Sequence, residues 1–147
     1  MSGQPSWISQ VGSACALISK LNAGLYHGLR VPRPGDQEWE ELVDVTKCRH
    51  GWAISPEAVL PKLGLRYQLT DLHPERVTLP LQVSVMMPCY GAHVALMVDL
   101  SSDLTATVVN LRRGELVTKL PYSELCSLLC LGLRVGDYLA VSIQPEE

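Results

Sequence analysis

The chain of 147 residues lacks the features that several large functional classes require. No cluster of lysine and arginine stands out and the formal net charge is −3, so we expect no surface for nucleic acid or for an anionic membrane. No apolar run is long enough for a membrane span, because Arg134 and Asp137 interrupt the richest one, residues 125–141. Residues 1–5 lack the basic and apolar regions of a signal peptide.

The cysteines have neither the number nor the spacing of a structural framework. There are five of them, and they form neither a disulfide scaffold nor the paired spacing of a zinc site. This usage indicates a reducing, cytoplasmic location and no bound metal. A P-loop and a dinucleotide fingerprint are also absent, and we expect no cofactor.

The sequence predicts a single globular domain over residues 1–147. Its composition is 47% apolar and 18% charged, within the range of ordinary globular proteins. We expect residues 1–9 to form a loose N-terminal segment, anchored on the body by Trp7 and Ile8.

Predicted helices dominate the first half of the chain and predicted strands the second half. Hydrophobic periodicity and turn residues predict helices over residues 13–29, 37–46, 55–63 and 121–131. They predict a loop over residues 47–53, and strands over residues 65–69, 79–87, 92–100, 104–110, 115–118 and 138–143. The order predicts an α+β domain in which N-terminal helices pack on an antiparallel sheet.

A candidate nucleophile lies at the start of the first predicted helix. Gln10 precedes Cys15 by five residues, and the helical pattern begins directly after Cys15. In the first helical turn, the positive end of the helix dipole favours a thiolate over a thiol. The side chain of Gln10 can donate a hydrogen bond to an oxyanion formed beside it. The alternative is that Cys15 simply fills space in the core.

A nucleophilic cysteine needs a base, and His93 is the best placed of the four histidines. His27 lies twelve residues beyond Cys15 on the same predicted helix, which corresponds to about 18 Å. His50 and His73 lie in predicted loops. His93 opens the most apolar strand, where a polar side chain either is satisfied within the core or lines a site.

Asn110 is the candidate group for orienting the imidazole. A two-residue turn at Ser101 and Ser102 makes the numbers of paired residues sum to 203, which places Asn110 opposite His93 on the neighbouring strand. We therefore expect the side-chain oxygen of Asn110 to accept from the imidazole and fix its tautomer. A three-residue loop breaks this register. The alternative interpretation of Asn110 is a residue that ends its strand.

Together these residues resemble the papain-like cysteine peptidases, and most closely the double-glycine leader peptidases of bacteriocin export and their stand-alone relatives. Gln10 and Cys15 match the family's oxyanion glutamine and nucleophile, although the spacing of five is one shorter than usual. Asn110 stands where this family has an aspartate, and papain itself has an asparagine. The other matching segments are residues 51–55, 60–65, 91–98, 108–110 and 120–125.

The resemblance implies a papain-like fold and a cysteine hydrolase that cleaves a peptide or isopeptide bond in a peptide or protein substrate. Cys15 would attack, His93 would exchange the proton, Asn110 would orient His93, and Gln10 would hold the oxyanion. Two alternatives stay open. The same residues can transfer the acyl group to an amine, as in an acyltransferase or transpeptidase. The fold can also serve as a non-catalytic binding module, with or without a partner protein.

Overall fold

The computed structural model describes residues 6–10, 14–50, 59–88, 91–129 and 139–146. Of residues 45–50 it describes the backbone only. Within these ranges the molecule combines helices with one antiparallel sheet, so the predicted α+β class is confirmed. No helix in the described ranges is long and apolar enough to cross a membrane.

The helices begin close to the predicted positions but differ in where they end. They are α1 (Cys15–Tyr26), α2 (Gln37–His50), a 3₁₀ turn (Leu60–Leu63) and α3 (Tyr122–Ser127). Because α2 continues to His50, the predicted loop is wrong for residues 47–50. Residues 55–58 of the third predicted helix lie outside the described residues. Its end is confirmed at Gly64, whose left-handed φ of 74° suits glycine and stops the 3₁₀ turn.

Six strands form the sheet, in the spatial order β1-β6-β2-β3-β4-β5. Their bounds are β1 (Leu65–Gln68), β2 (Leu81–Met87), β3 (Gly91–Leu100), β4 (Thr105–Arg112), β5 (Glu115–Pro121) and β6 (Ala140–Pro145). β1 is an edge strand, and the apolar β3 lies inside the sheet between β2 and β4.

Both faces of β3 are buried, which explains its nearly continuous apolar sequence. On one face, Val94 packs with the N-terminal half of α1, and Leu96 packs with Ala23 near the other end of that helix. On the opposite face, Ala95 and Met97 pack with the core that contains α3. The start of α1 therefore lies beside the start of β3, on the face of Val94. His93 pairs with Val85 and alternates with Val94, so its Cβ belongs to the opposite face, that of Ala95, at the same end of the sheet.

The predicted register between β3 and β4 is wrong. Leu100 pairs with Ala106, a sum of 206, and Leu96 pairs with Val109, a sum of 205, because the register shifts between Met97 and Asp99; neither sum is 203. Ser101 donates its N–H to the Thr105 carbonyl at 3.0 Å, which leaves a three-residue loop that ends in Leu104. Leu104 has a left-handed φ of 64°, as the last residue of such a loop often does. A leucine in this conformation is uncommon, and no sequence signal marks it.

The loop conformation predicts opposite effects for two exposed leucines. Leu104→Gly should raise the free energy of unfolding by about 0.5 to 1 kcal/mol, because relief of left-handed strain exceeds the entropy that glycine adds to the unfolded chain. Leu116→Gly, within β5 and without a positive φ, should lower it by about 0.5 to 1 kcal/mol. Urea denaturation measures both. Equal destabilisation by the two variants would contradict the three-residue loop.

Candidate active site

Cys15 is the first residue of α1, so its predicted place in the first helical turn is confirmed. Its backbone N–H is one of the first N–H groups of the helix, which have no acceptor within the helix itself. The side chain is partly buried and packs against the cluster that contains Val94 of β3. Cys15 therefore lies at the N-terminus of α1, in the cluster to which β3 contributes Val94.

His93 has a defined tautomer in its neutral form. Its Nε2 atom lies 2.6 Å from the backbone carbonyl oxygen of Asn110. Since a carbonyl oxygen only accepts hydrogen bonds, Nε2 must carry the proton and donate it. The lone pair of the neutral ring is then on Nδ1. A histidine held in this way can take up a proton at Nδ1 while the other side of the ring stays fixed.

Burial keeps His93 neutral to a lower pH than an exposed histidine. Burial of the ring lowers the pKa of His93 below its ordinary value of 6.5. The hydrogen bond to the Asn110 carbonyl acts in the opposite direction, and the positive charge of Arg113 lowers the pKa further. A neutral imidazole is the form that can act as a base near neutral pH.

Asn110 orients His93 through its backbone, so the prediction that its side-chain oxygen accepts from the imidazole is wrong. The residue has a left-handed φ of 60°, and the register of β4 with β5 shifts between Val109 and Arg112. This irregularity is a β-bulge, which redirects the groups of the bulged residue away from the ordinary alternation of the strand. Asparagine tolerates the left-handed region better than most residues do.

The side chain of Asn110 instead binds the segment that leads to Cys15. Its Nδ2 donates to the Ile8 carbonyl at 2.8 Å, and its Oδ1 accepts from the Gln10 backbone N–H at 3.1 Å. The hydrogen bonds of Asn110 therefore connect His93 on one strand with Gln10 in the N-terminal segment. The predicted anchoring of Ile8 is confirmed, since this side chain is 4% exposed.

A second asparagine, Asn22 of α1, holds the same segment and was missed in the sequence. Its Oδ1 accepts from the Ile8 N–H at 2.8 Å and its Nδ2 donates to the Ile8 carbonyl at 3.0 Å. Asn22 is completely buried. One signal was available: the chain contains only two asparagines, Asn22 and Asn110, and Asn22 occupies a position on the apolar side of the first helix.

The structure joins three of the four predicted site residues by hydrogen bonds. Gln10 is bonded to Asn110, and Asn110 is bonded to His93. Among the described residues the thiol of Cys15 makes no hydrogen bond to His93. Residues 11–13, which lie between Gln10 and Cys15, are outside the described ranges. So is the family-like segment of residues 51–55.

Two of the remaining histidines, His27 and His73, lie in other parts of the described structure than Cys15. His27 follows the last residue of α1, and its Nε2 lies 2.8 Å from the Ile143 carbonyl. His73 is exposed in the turn before β2. The side chain of His50 lies outside the described part of the chain. Within the described ranges, no group of three or more histidine, cysteine, aspartate or glutamate side chains could hold a metal ion.

A comparison with protein-family models found no matching family, and a comparison with curated proteins found no matching sequence. The chemistry of the site therefore has to be inferred from its own geometry.

The lowered pKa of His93 predicts a loss of stability in mild acid. Because the unfolded chain binds this proton more readily than the folded chain, the free energy of unfolding should fall as the pH drops below about 6.5. His93→Gln can still donate to the Asn110 carbonyl but does not titrate, so it should lose less stability between pH 7.5 and pH 5. Urea denaturation at several pH values tests this.

The matched control is the exposed His73. His73→Gln also removes one histidine but keeps the buried imidazole of His93, so the acid-dependent loss assigned to His93 should remain. If the pH dependence of the free energy of unfolding persists in His93→Gln and disappears in His73→Gln, the prediction for His93 is wrong.

Proposed function

We propose that the chain is a papain-like cysteine hydrolase that acts on a peptide or isopeptide bond. The hydrogen bond from His93 Nε2 to the Asn110 carbonyl carries the proposal, because it leaves Nδ1 as the basic atom of a fixed and buried imidazole. The position of Cys15 at the start of α1 supports it, since a helix N-terminus stabilises a thiolate. Both residues lie at the end of the sheet where β3 begins, with Cys15 on the face of α1 and His93 at a strand position of the opposite face, so the proposed reaction requires the imidazole to reach the thiol around this end.

The reaction follows from these assignments. His93 Nδ1 takes the thiol proton of Cys15, and the sulfur forms a bond to the carbonyl carbon of the substrate while an electron pair moves onto its oxygen. The side chain of Gln10 and the backbone N–H of Cys15 donate to that oxyanion. The imidazolium then protonates the leaving amine as the C–N bond breaks. Water, deprotonated by the same imidazole, hydrolyses the thioester and restores the thiol.

The second candidate is a non-catalytic binding module of the same fold. It is favoured by one observation: the Cys15 thiol packs against the apolar cluster with Val94 and is not hydrogen-bonded to His93 in the described structure. Catalysis requires the thiol and the imidazole to meet when the acyl group binds, as catalytic hydrogen bonds of unliganded enzymes often do. A binding module requires no such contact.

Selective alkylation separates the two candidates. Cys126 is a partly buried free cysteine like Cys15, and it provides an internal control. Iodoacetamide should label Cys15 at least about tenfold faster than Cys126 near neutral pH if Cys15 is an activated thiolate. Mass spectrometry of peptides from the folded protein measures both rates. Equal labelling of all five cysteines, or no labelling of Cys15, would exclude the hydrolase.

Removal of the oxyanion donor tests the next step. Gln10→Ala should lower the rate at which p-nitrophenyl acetate acylates Cys15 by about 100-fold, the usual effect of losing one such donor. The release of nitrophenolate and the mass of the acetylated protein report the rate. Cys15→Ala is the control, and it should abolish acylation. An unchanged rate in Gln10→Ala would mean that other groups hold the oxyanion.

A further inference from the structure

Two buried asparagines surround the backbone of Ile8, two residues before Gln10. The Ile8 carbonyl accepts from Asn22 at 3.0 Å and from Asn110 at 2.8 Å, and the Ile8 N–H donates to Asn22 at 2.8 Å. The Gln10 N–H donates to Asn110 at 3.1 Å. These four bonds hold a segment that belongs to neither a helix nor a strand.

The two asparagines come from opposite sides of the segment. Asn22 lies on α1, two turns beyond Cys15, and Asn110 lies on β4 beside His93. Their side-chain amides satisfy the backbone of Ile8 in the way that a neighbouring strand would. The segment is thereby fixed to both the helix that carries the thiol and the strand that holds the imidazole.

We infer that Asn22 and the side chain of Asn110 are positioning residues that set the place of Gln10 relative to Cys15. This inference rests on the proposed function. An oxyanion donor acts only when its N–H lies about 3 Å from the place where the charge develops. Gln10 belongs to no helix or strand, so nothing in its own secondary structure fixes that position. The four hydrogen bonds at Ile8 and Gln10 supply the constraint.

Two reagents distinguish positioning of the oxyanion donor from general damage to the site. Acylation by p-nitrophenyl acetate passes through a tetrahedral oxyanion, whereas alkylation by iodoacetamide displaces iodide and forms none. Asn22→Ala should therefore lower the acylation rate of Cys15 by about 100-fold, like Gln10→Ala. The alkylation rate of Cys15 should stay within about threefold of that of the unchanged chain.

The double variant shows whether Asn22 acts through Gln10. If it does, Gln10→Ala combined with Asn22→Ala should acylate no more slowly than Gln10→Ala alone, because the donor is already gone. A merely structural role would reduce both reactions together, or would multiply the two effects. Either of these results would overturn the inference.

A glycine variant repeats the test at the second asparagine, in case Asn22→Ala does not fold. Asn110→Gly removes the bonds to Ile8 and Gln10 but keeps the carbonyl that accepts from His93, because glycine readily adopts a φ of 60°. It should show the same selective loss of acylation, with an unchanged pH profile of alkylation. Equal loss of both reactions in Asn110→Gly would overturn the inference.

Gln82→Ala is the matched control for general loosening. Gln82 is a buried side chain of β2 that accepts from Lys20 of α1 at 3.1 Å and makes no bond to Ile8. The variant should lower the melting temperature but leave the ratio of acylation to alkylation unchanged. If p-nitrophenyl acetate does not acylate Cys15 in the unchanged chain, the proposed function itself is contradicted. Acylation that depends on Gln10 but not on either asparagine would contradict only the inference.

Discussion

The backbone conformation of Asn110 determines which groups meet at this end of the sheet. In an ordinary strand, successive side chains alternate between the two faces, and the carbonyl groups point towards the neighbouring strands. The left-handed φ of 60° breaks this pattern. The carbonyl of Asn110 is free to accept from His93, while its side chain reaches the N-terminal segment. One residue thus joins two parts of the site that are far apart in sequence.

The N-terminal segment buries Ile8 between the exposed Ser6 and Ser9 without secondary structure, so the backbone of Ile8 needs hydrogen-bond partners from elsewhere in the chain. Ile8 is 4% exposed, and each backbone group buried without a partner would cost about 1 to 3 kcal/mol. The side-chain amides of Asn22 and Asn110 satisfy both its N–H and its carbonyl. The bonds to Asn110 span 100 and 102 residues of sequence, so they form only after two distant parts of the chain have come together.

Local patterns predicted the elements well, whereas the contacts between strands could not be predicted. The start of α1 at Cys15, the inner position of β3 and the end of the 3₁₀ turn at Gly64 follow from periodicity and glycine. The register of β3 with β4 depends on Leu104, a residue with no preference for its left-handed conformation, and on the shift between Met97 and Asp99.

The candidate site shows the same division. Gln10 and Asn110 were predicted as site residues from their type and spacing. At the bulge, however, it is the backbone carbonyl of Asn110 that accepts from His93, and its side chain binds the Gln10 N–H instead. Asn22 was overlooked because a polar residue within an apolar helix has many ordinary explanations. Only the position of the Ile8 backbone shows why an amide with both a donor and an acceptor is needed there.

The group that orients His93 is a main-chain atom, and this affects how the site responds to genetic change. A scan of single substitutions removes side chains but leaves every carbonyl in the chain. The partner of the imidazole can therefore persist through replacements at position 110 as long as the new residue accepts a left-handed backbone, as glycine does. The substitutions tolerated at position 110 would then reflect which residues adopt a left-handed backbone. A search for a required carboxylate or carboxamide beside the histidine would overlook the carbonyl that orients it.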